Sequence, residues 1–292
     1  MQTKTQIRQL LESTGVRPNK RLGQHFLVDM NLMRLLVDSA DIQKTDVVLE
    51  VGCGTGSLTS VLAEKAGRIV AVELDQNLIK IAKKQLEKVE NVDFINCDIL
   101  ENKRTINVTV KRALNHVFEN HSGRFLLVAN LPYNVASPVI LNLITGPLIA
   151  DRMYVTVQKE VAERMIAVPG TRNYGILSIF LGVTGTVKAI RRLKPAVFWP
   201  QPKVDSAMIG FVCDQTKAGM VKNMELFGEI VGFFMGHRRK TLRACTKLAN
   251  EKFAQIHNWP EIFEKCSINP LQRPDQLSPE DYLTLAQYMG KS

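Results

Sequence analysis

Cysteine is sparse in this chain and follows no pattern. The five residues, Cys53, Cys97, Cys213, Cys245 and Cys266, are odd in number, widely spaced and form no C-x-x-C pair. That excludes a disulfide framework and a cysteine zinc site, and points to a reducing, cytoplasmic compartment. Long apolar runs are absent as well. No stretch reaches the roughly 18 residues that a membrane helix needs, and Met1-Gln2-Thr3-Lys4-Thr5 leads into no apolar segment of the signal-peptide kind. Neither repeats nor low-complexity segments occur, which excludes solenoids and disordered arrays. One further absence concerns the glycines: the dinucleotide spacing Gly-x-Gly-x-x-Gly is not the one used.

Acidic residues are outnumbered. Thirty-eight Lys and Arg face 28 Asp and Glu, for a net charge of +10 over 292 residues. A polyanionic partner such as nucleic acid, or an anionic membrane surface, suits that balance. Hydrophobic residues make up 45% of the chain, enough for one large domain and a small second one.

The most informative stretch is Val47-Val48-Leu49-Glu50-Val51-Gly52-Cys53-Gly54-Thr55-Gly56. A nearly continuous β-branched run ends in an acid and three alternating glycines, and the amphipathic segment Ser57 to Lys65 follows. This predicts a buried parallel strand, a tight turn and a helix start. Glycines there permit φ > 0 and let a ligand approach the backbone. Arg68 to Asp75 predicts a second strand, with Glu73 at its carboxyl end and Asp75 as a helix N-cap. Asn91 to Asn96 predicts a third, followed by Asp98. Open α/β sheets bind ligands at this edge, where Glu73 can accept hydrogen bonds from ribose hydroxyls and Asp98 one from an adenine amine. The residues leave a turn-forming role equally open for Asp98.

Phe125 to Ala129 predicts a fourth strand, which runs into Asn130-Leu131-Pro132-Tyr133-Asn134. The exocyclic amine of adenine is a poor nucleophile because its lone pair is delocalised into the ring. Acceptors on the Asn130 side chain and the Leu131 carbonyl would draw the lone pair out of the ring and stabilise developing positive charge. Pro132 stiffens such a loop, and Tyr133 offers a face for stacking a base.

Glu50-x-Gly52-x-Gly54-x-Gly56, then Glu73, Asp98 and Asn130-Leu131-Pro132-Tyr133, stand in the order of the amino-methyltransferases that use S-adenosylmethionine (SAM). Together with Leu22-Gly23-Gln24-His25-Phe26-Leu27 and Phe198-Trp199-Pro200-Gln201-Pro202-Lys203-Val204-Asp205-Ser206, they resemble the small-subunit rRNA adenine dimethyltransferases, from about Arg17 to the C-terminus. The resemblance implies an α/β, Rossmann-like SAM-dependent methyltransferase sheet, with a small all-helical C-terminal domain. It implies a cofactor set of His25, Leu27, Gly52, Glu73, Asp98 and Asn130. The catalytic loop would be Asn130, Leu131, Pro132 and Tyr133, with Phe198 stacking on the flipped adenine opposite Tyr133. A buried aromatic beside a proline loop is the other reading of Phe198. The family more often has Asn where this chain has His25. No metal is implied.

The implied reaction is N6,N6-dimethylation of two adjacent adenines in 16S rRNA, on an immature small ribosomal subunit, by a monomer that does not engage membranes. A large-subunit rRNA methylase of the antibiotic-resistance type shares the chemistry, but the helical C-terminal region and Pro202 to Ser206 argue against it. A ribosome-assembly factor with secondary catalysis is a third reading, and the intact Asn130 to Tyr133 speaks for retained catalysis.

The expected domains are 1–216, catalytic, and 217–292, helical and RNA-binding. Leu177 to Val187 and Val204 to Val212 are expected as the last two strands, with Arg191, Arg192 and Lys194 between them. Asn102 to Asn107 is expected as a surface loop, and Thr241 to Phe253 as one amphipathic helix. In His237 to Arg243, five of seven residues are His, Lys or Arg. That cluster suits RNA phosphates or a solvated helix end.

Overall fold

The structure is a computed structural model that describes residues 2–19, 23–249, 251–256 and 258–290; residues 251 and 252 are described in their backbone alone. Lys20, Arg21 and Leu22 of the expected N-terminal motif lie outside the described residues.

Eleven strands are present among the described residues. They are β1 (Phe26–Leu27), β2 (Val47–Val51), β3 (Arg68–Glu73), β4 (Val92–Asn96), β5 (Leu100–Asn102) and β6 (Thr105–Ile106), then β7 (Phe125–Asn130), β8 (Arg152–Gln158), β9 (Gly185–Leu193), β10 (Phe198–Trp199) and β11 (Ser206–Cys213). Seven of them form one sheet in the order β4-β3-β2-β7-β8-β11-β9. The β4-β3-β2-β7-β8 portion is parallel, and β11 runs antiparallel to β8. The central strands are buried on both faces, as their unbroken apolar runs require. The expected loop at 102–107 holds most of the β5/β6 hairpin.

Helices α1 (Lys4–Ser13), α2 (Met30–Ser39), α3 (Ser57–Lys65), α4 (Gln76–Gln85), α5 (Val108–Phe118), α6 (Ala136–Thr145) and α7 (Lys159–Met165) accompany the first eight strands. Their starts follow local chemistry. Asp29, Asp75 and Asn107 each accept a backbone N–H of the following first turn.

The chain divides into two compact units. One comprises residues 1–162 and 188–212; the other, 163–187 and 213–292. The helical unit therefore takes in a segment that the sequence reading had left with the sheet. Within it, α8 (Ile176–Thr184) replaces most of the strand expected over 177–187. The run is apolar all round, and periodicity does not separate a buried strand from a buried helix in so short a stretch. Ser178 helps decide it: its hydroxyl accepts the Gly175 N–H (3.2 Å) and donates to the Arg164 carbonyl (2.6 Å). The strand begins only at Gly185.

The rest of the helical unit is α9 (Gln215–Met220), α10 (Met224–Gly236), α11 (Leu242–Thr246), α12 (Glu251–Ala254), α13 (Trp259–Lys265) and α14 (Pro279–Met289). The single helix expected over 241–253 is thus divided, and Leu248 at the break is exposed. A Cβ on Gly182 of α8 would meet Pro279 Cγ at 2.7 Å, so α8 and α14 approach as closely as a glycine allows. Phe180 packs edge-on against Phe227, and Phe233, Phe234, Phe253, Trp259 and Phe263 form an aromatic cluster.

At the amino ends of β2 and β7, Asp46 (1% exposed) holds the strands in register. Its carboxylate accepts from Arg124 Nε and Nη2 (3.1 and 2.7 Å), from Arg124 N and from Gln43 N. Burial opposes ionisation most strongly, yet the Arg124 and Gln43 donors together hold this carboxyl below its usual range. Asp46→Asn should lower the unfolding free energy by about 3 kcal/mol, because it removes the nearest, buried counter-charge of Arg124 and leaves only the exposed Asp41 at 3.8 Å. The urea midpoint at pH 7 measures this. A depressed carboxyl contributes stability above the unfolded pKa and loses it as pH falls through the folded one. The gap between variant and wild type should therefore close in acid.

Candidate active site

Three glycines turn the chain out of β2 with left-handed backbone, at φ +79° for Gly52, +57° for Gly54 and +83° for Gly56. Space requires glycine as well. A Cβ at Gly52 would lie 2.9 Å from Pro132 Cγ, and one at Gly54 2.9 Å from Phe26 Cε1. The turn is thus enclosed by the loop after β7 and by β1.

Glu73 ends β3 beside it, 7% exposed. One carboxylate oxygen accepts the Gly54 N–H and the other the Asp75 N–H, both at 2.9 Å. Burial pushes this carboxyl up, against the pull of those two donors. Each oxygen keeps a lone pair for a further donor.

Asn130 ends β7. Its Nδ2 donates to the His25 carbonyl at 2.8 Å, which fixes the amide orientation. Its Oδ1 is buried and has no hydrogen-bond partner. The Leu131 N–H donates to the Thr156 carbonyl of β8, so the loop leaves the sheet with its first peptide anchored. The Tyr133 ring stacks on His25 with centroids 5.4 Å apart, and its hydroxyl lies 2.8 Å from Ser206 Oγ. His25 Nδ1 donates to the Pro200 carbonyl at 2.6 Å.

The motif stretches around 25 and 200 meet in a two-stranded ladder. β1 pairs antiparallel with β10, Phe26 opposite Trp199 and Leu27 opposite Phe198. Nothing in the periodicity of either stretch announces that pairing.

One open cleft, about 700 Å³ of empty space counted with its mouth to solvent, joins the N-terminal motif, the glycine turn, the end of β3 and the loop after β7; Tyr133 is not among the residues that line it. His25, Gly52, Glu73, Asp98, Asn130 and Pro132 all face it. Asp98 is exposed there, and its Oδ1 also accepts the Leu100 N–H, so the turn-forming role is real as well. Leu27 does not line this cleft. It is 5% exposed in the core and faces a smaller cavity of about 410 Å³ shared with Glu50, Asn130 and Ile7 of α1. Leu131 is buried at 1%. Phe198 is 2% exposed in the same core cluster as Leu27 and, as it stands, presents no open face to a base. Sequence reasoning missed Gln24, Phe26 and Cys97 as lining residues. Gln24 and Phe26 could have been found within the N-terminal motif itself.

Glu50 lies fully within β2, 2% exposed, with Oε2 unpartnered. Burial, followed by the neighbouring Glu73 charge, raises its carboxyl to about 8, with Thr59 pulling the other way. The Cys53 thiol beside it is pushed up by burial and by the two acids.

Comparison with known proteins agrees with this geometry. The family model described as ribosomal RNA adenine dimethylase matches residues 15–291. A ribosomal RNA small subunit methyltransferase A from Alkaliphilus metalliredigens is 36% identical over 277 residues, 94% of this chain and 93% of that one. A protein of the same name from Caldanaerobacter subterraneus is 36% identical over 271 residues, 93% and 97% of the two chains. Among solved structures, a dimethyladenosine transferase from Plasmodium falciparum superposes with a TM-score of 0.74 at 25% identity, covering 91% of this chain and 98% of that one.

A mostly parallel sheet with this glycine turn and ligand edge defines a SAM-dependent methyltransferase. The chain belongs to the ribosomal RNA adenine dimethylase family. The residues present fit the cofactor: they offer a glycine floor that side chains would fill and a buried amide oxygen without a donor.

Glu50 sets a pH dependence. The unfolded chain loses this proton near pH 4.5 and the folded one near 8, so its contribution to stability falls as pH rises between those values. Glu50→Gln removes that fall. Urea unfolding of the cofactor-free protein should find the variant similar to wild type at pH 5 and more stable at pH 8, by on the order of 2 kcal/mol. An equal difference at both pH values would contradict the buried, protonated carboxyl.

Proposed function

We propose that the protein transfers methyl groups from SAM to the N6 amines of two adjacent adenines in small-subunit (16S) rRNA, two to each, on an immature small ribosomal subunit. It acts as a monomer in the cytoplasm. The observation that carries this reading is the unpartnered, buried Oδ1 of Asn130 at the edge of the cleft.

The cofactor, when bound, supplies an electrophilic methyl on a sulfonium. Glu73 would hold the ribose hydroxyls, Asp98 the adenine amine, and the Gly52 and Gly54 backbone the rest of the donor. His25 would cover the cleft, while Leu27 would support it from the core. Asn130 Oδ1 and the Leu131 carbonyl would accept the two hydrogens of the target amine. That arrangement points the nitrogen lone pair along the line of attack and stabilises the charge forming on it. No residue needs to take the proton beforehand, because methylation itself acidifies the amine. Pro132 limits the loop's freedom. Tyr133, held by Ser206 and His25, would stack on the extruded base. For Phe198 to join from the other side, the β10 segment must shift and free its ring.

The helical unit supports a second, sequence-independent hold on RNA. Arg239, Lys240, Arg243 and Lys247 are exposed there. Arg238 differs, because its guanidinium donates to Asp275 (3.1 Å) and to the Arg172 carbonyl (3.3 Å) and braces the unit itself. It therefore leaves the phosphate-binding set that the sequence suggested.

Two experiments test this reading. With isotope-labelled SAM and isolated small subunits, Asn130→Ala should abolish transfer while SAM binding persists; undiminished transfer would remove the assignment. Replacing Arg239 and Lys240 together by Gln should weaken rRNA binding and reduce the slope of log affinity against log salt by about 2, roughly one per lost phosphate contact.

A further inference from the structure

Asp205 and Ser206 are consecutive but serve different neighbours. Ser206, fully buried at the start of β11, holds the Tyr133 hydroxyl. Asp205 gathers two cations on one oxygen. Its Oδ2 accepts from Arg192 Nε and Nη2 at 3.0 and 2.8 Å and from Lys194 Nζ at 3.3 Å. Arg192 belongs to β9, the outermost strand of the sheet, and Lys194 follows it directly.

The surrounding edge is strongly basic. Lys188, Arg191, Arg192, Lys194 and Lys203 are all exposed. Between residues 188 and 205 the only acid is Asp205, so five positive charges meet one negative, an excess of four. Among the described residues, Lys188, Arg191 and Lys203 have no ion-pair or side-chain hydrogen-bond partner.

Edge strands commonly carry charge to prevent pairing with other sheets. Edge protection needs the charges to be spread along the strand. It does not need two of them drawn onto a single carboxylate beside the residue that anchors Tyr133. One carboxylate cannot neutralise two cations, and Arg192, anchored through Nε and Nη2, has no partner on Nη1 among the described residues. A guanidinium fixed in this way is suited to a phosphate.

We propose that the edge from Lys188 to Asp205 is a binding site for RNA backbone phosphates on the strand that carries the target adenine. Arg192 is its oriented centre, and Lys188, Arg191 and Lys203 form its outer contacts. The site deepens the functional reading above and rests on it. Continuity from Asp205 through Ser206 to Tyr133 places these phosphates next to the nucleotide being methylated. The helical unit's cluster, by contrast, would grip RNA on a different unit of the chain.

The test is a titration of wild type and the Lys188→Gln/Arg191→Gln variant against a small-subunit rRNA fragment, between 50 and 200 mM salt. Neither residue has a partner to lose, so folding should be unaffected, and a thermal melt checks that. The variant should bind roughly tenfold more weakly at low salt and lose about 2 from the salt slope. SAM affinity and kcat at saturating RNA should be retained while KM for RNA rises. An unchanged slope and KM would overturn the proposal. Asp205→Asn separates it from a purely structural brace. Release of Arg192 and Lys194 from their shared carboxylate should leave the slope intact or steepen it, whereas a lower melting temperature with unchanged RNA binding in both variants assigns the cluster to the fold alone. If wild type binds this RNA without methylating it, the functional reading fails, and the binding slope still decides the phosphate site.

Discussion

One hydrogen bond fixes the amide on which the proposed chemistry rests: the donation from Asn130 Nδ2 to the His25 carbonyl. An amide side chain can face either way, and in a buried site its orientation follows from its partners. A carbonyl opposite Nδ2 leaves Oδ1, on a residue that lines the cleft, buried as an acceptor without a donor. Everything around it serves to keep that carbonyl in place. β1 is pinned to β10, His25 Nδ1 is pinned to the Pro200 carbonyl, and the ring is stacked on Tyr133, itself tied to Ser206. The sheet supplies the fixed point, because β7, itself buried along all but its last residue, lies between β2 and β8.

The acids of the site follow a related logic. Glu73 is buried but satisfied, with a backbone N–H on each oxygen. Glu50 is buried with one oxygen unpartnered, and its proton is retained to about pH 8. Burial raises both carboxyls, and the two backbone N–H donors on Glu73 pull against that rise.

Much of this was legible in the residues. Glu50 to Gly56 specified a strand, a left-handed turn and a helix start, and all three are present. Asp75 caps the helix that follows it, as the sequence predicts. Glu73, Asp98 and Asn130 converge on one cleft because parallel strands deliver their carboxyl ends to one edge. What stayed hidden depends on partners far along the chain. The β1–β10 ladder joins residues about 170 apart, and neither two-residue strand has a period to read. Leu27 and Phe198 oppose each other in that ladder, so both turn into the core. α8 stands where the sequence predicts a strand because burial on nearly all sides erases its face pattern, and its form depends on Ser178 and on the helices around it.

That helix carries a consequence for how the protein is made. Residues 163–187 leave the ribosome well before α10 and α14, against which α8 packs through Gly182 and its apolar faces. Until the last segment is synthesised, α8 has no complete cover, although the five parallel strands upstream are already available to pair. The order of synthesis thus leaves an apolar helix waiting in the middle of a nascent chain. No single cut could release the helical unit as an intact piece, since its sequence is interrupted by residues 188–212, the edge strand and loop that the sheet unit needs to finish its own cleft.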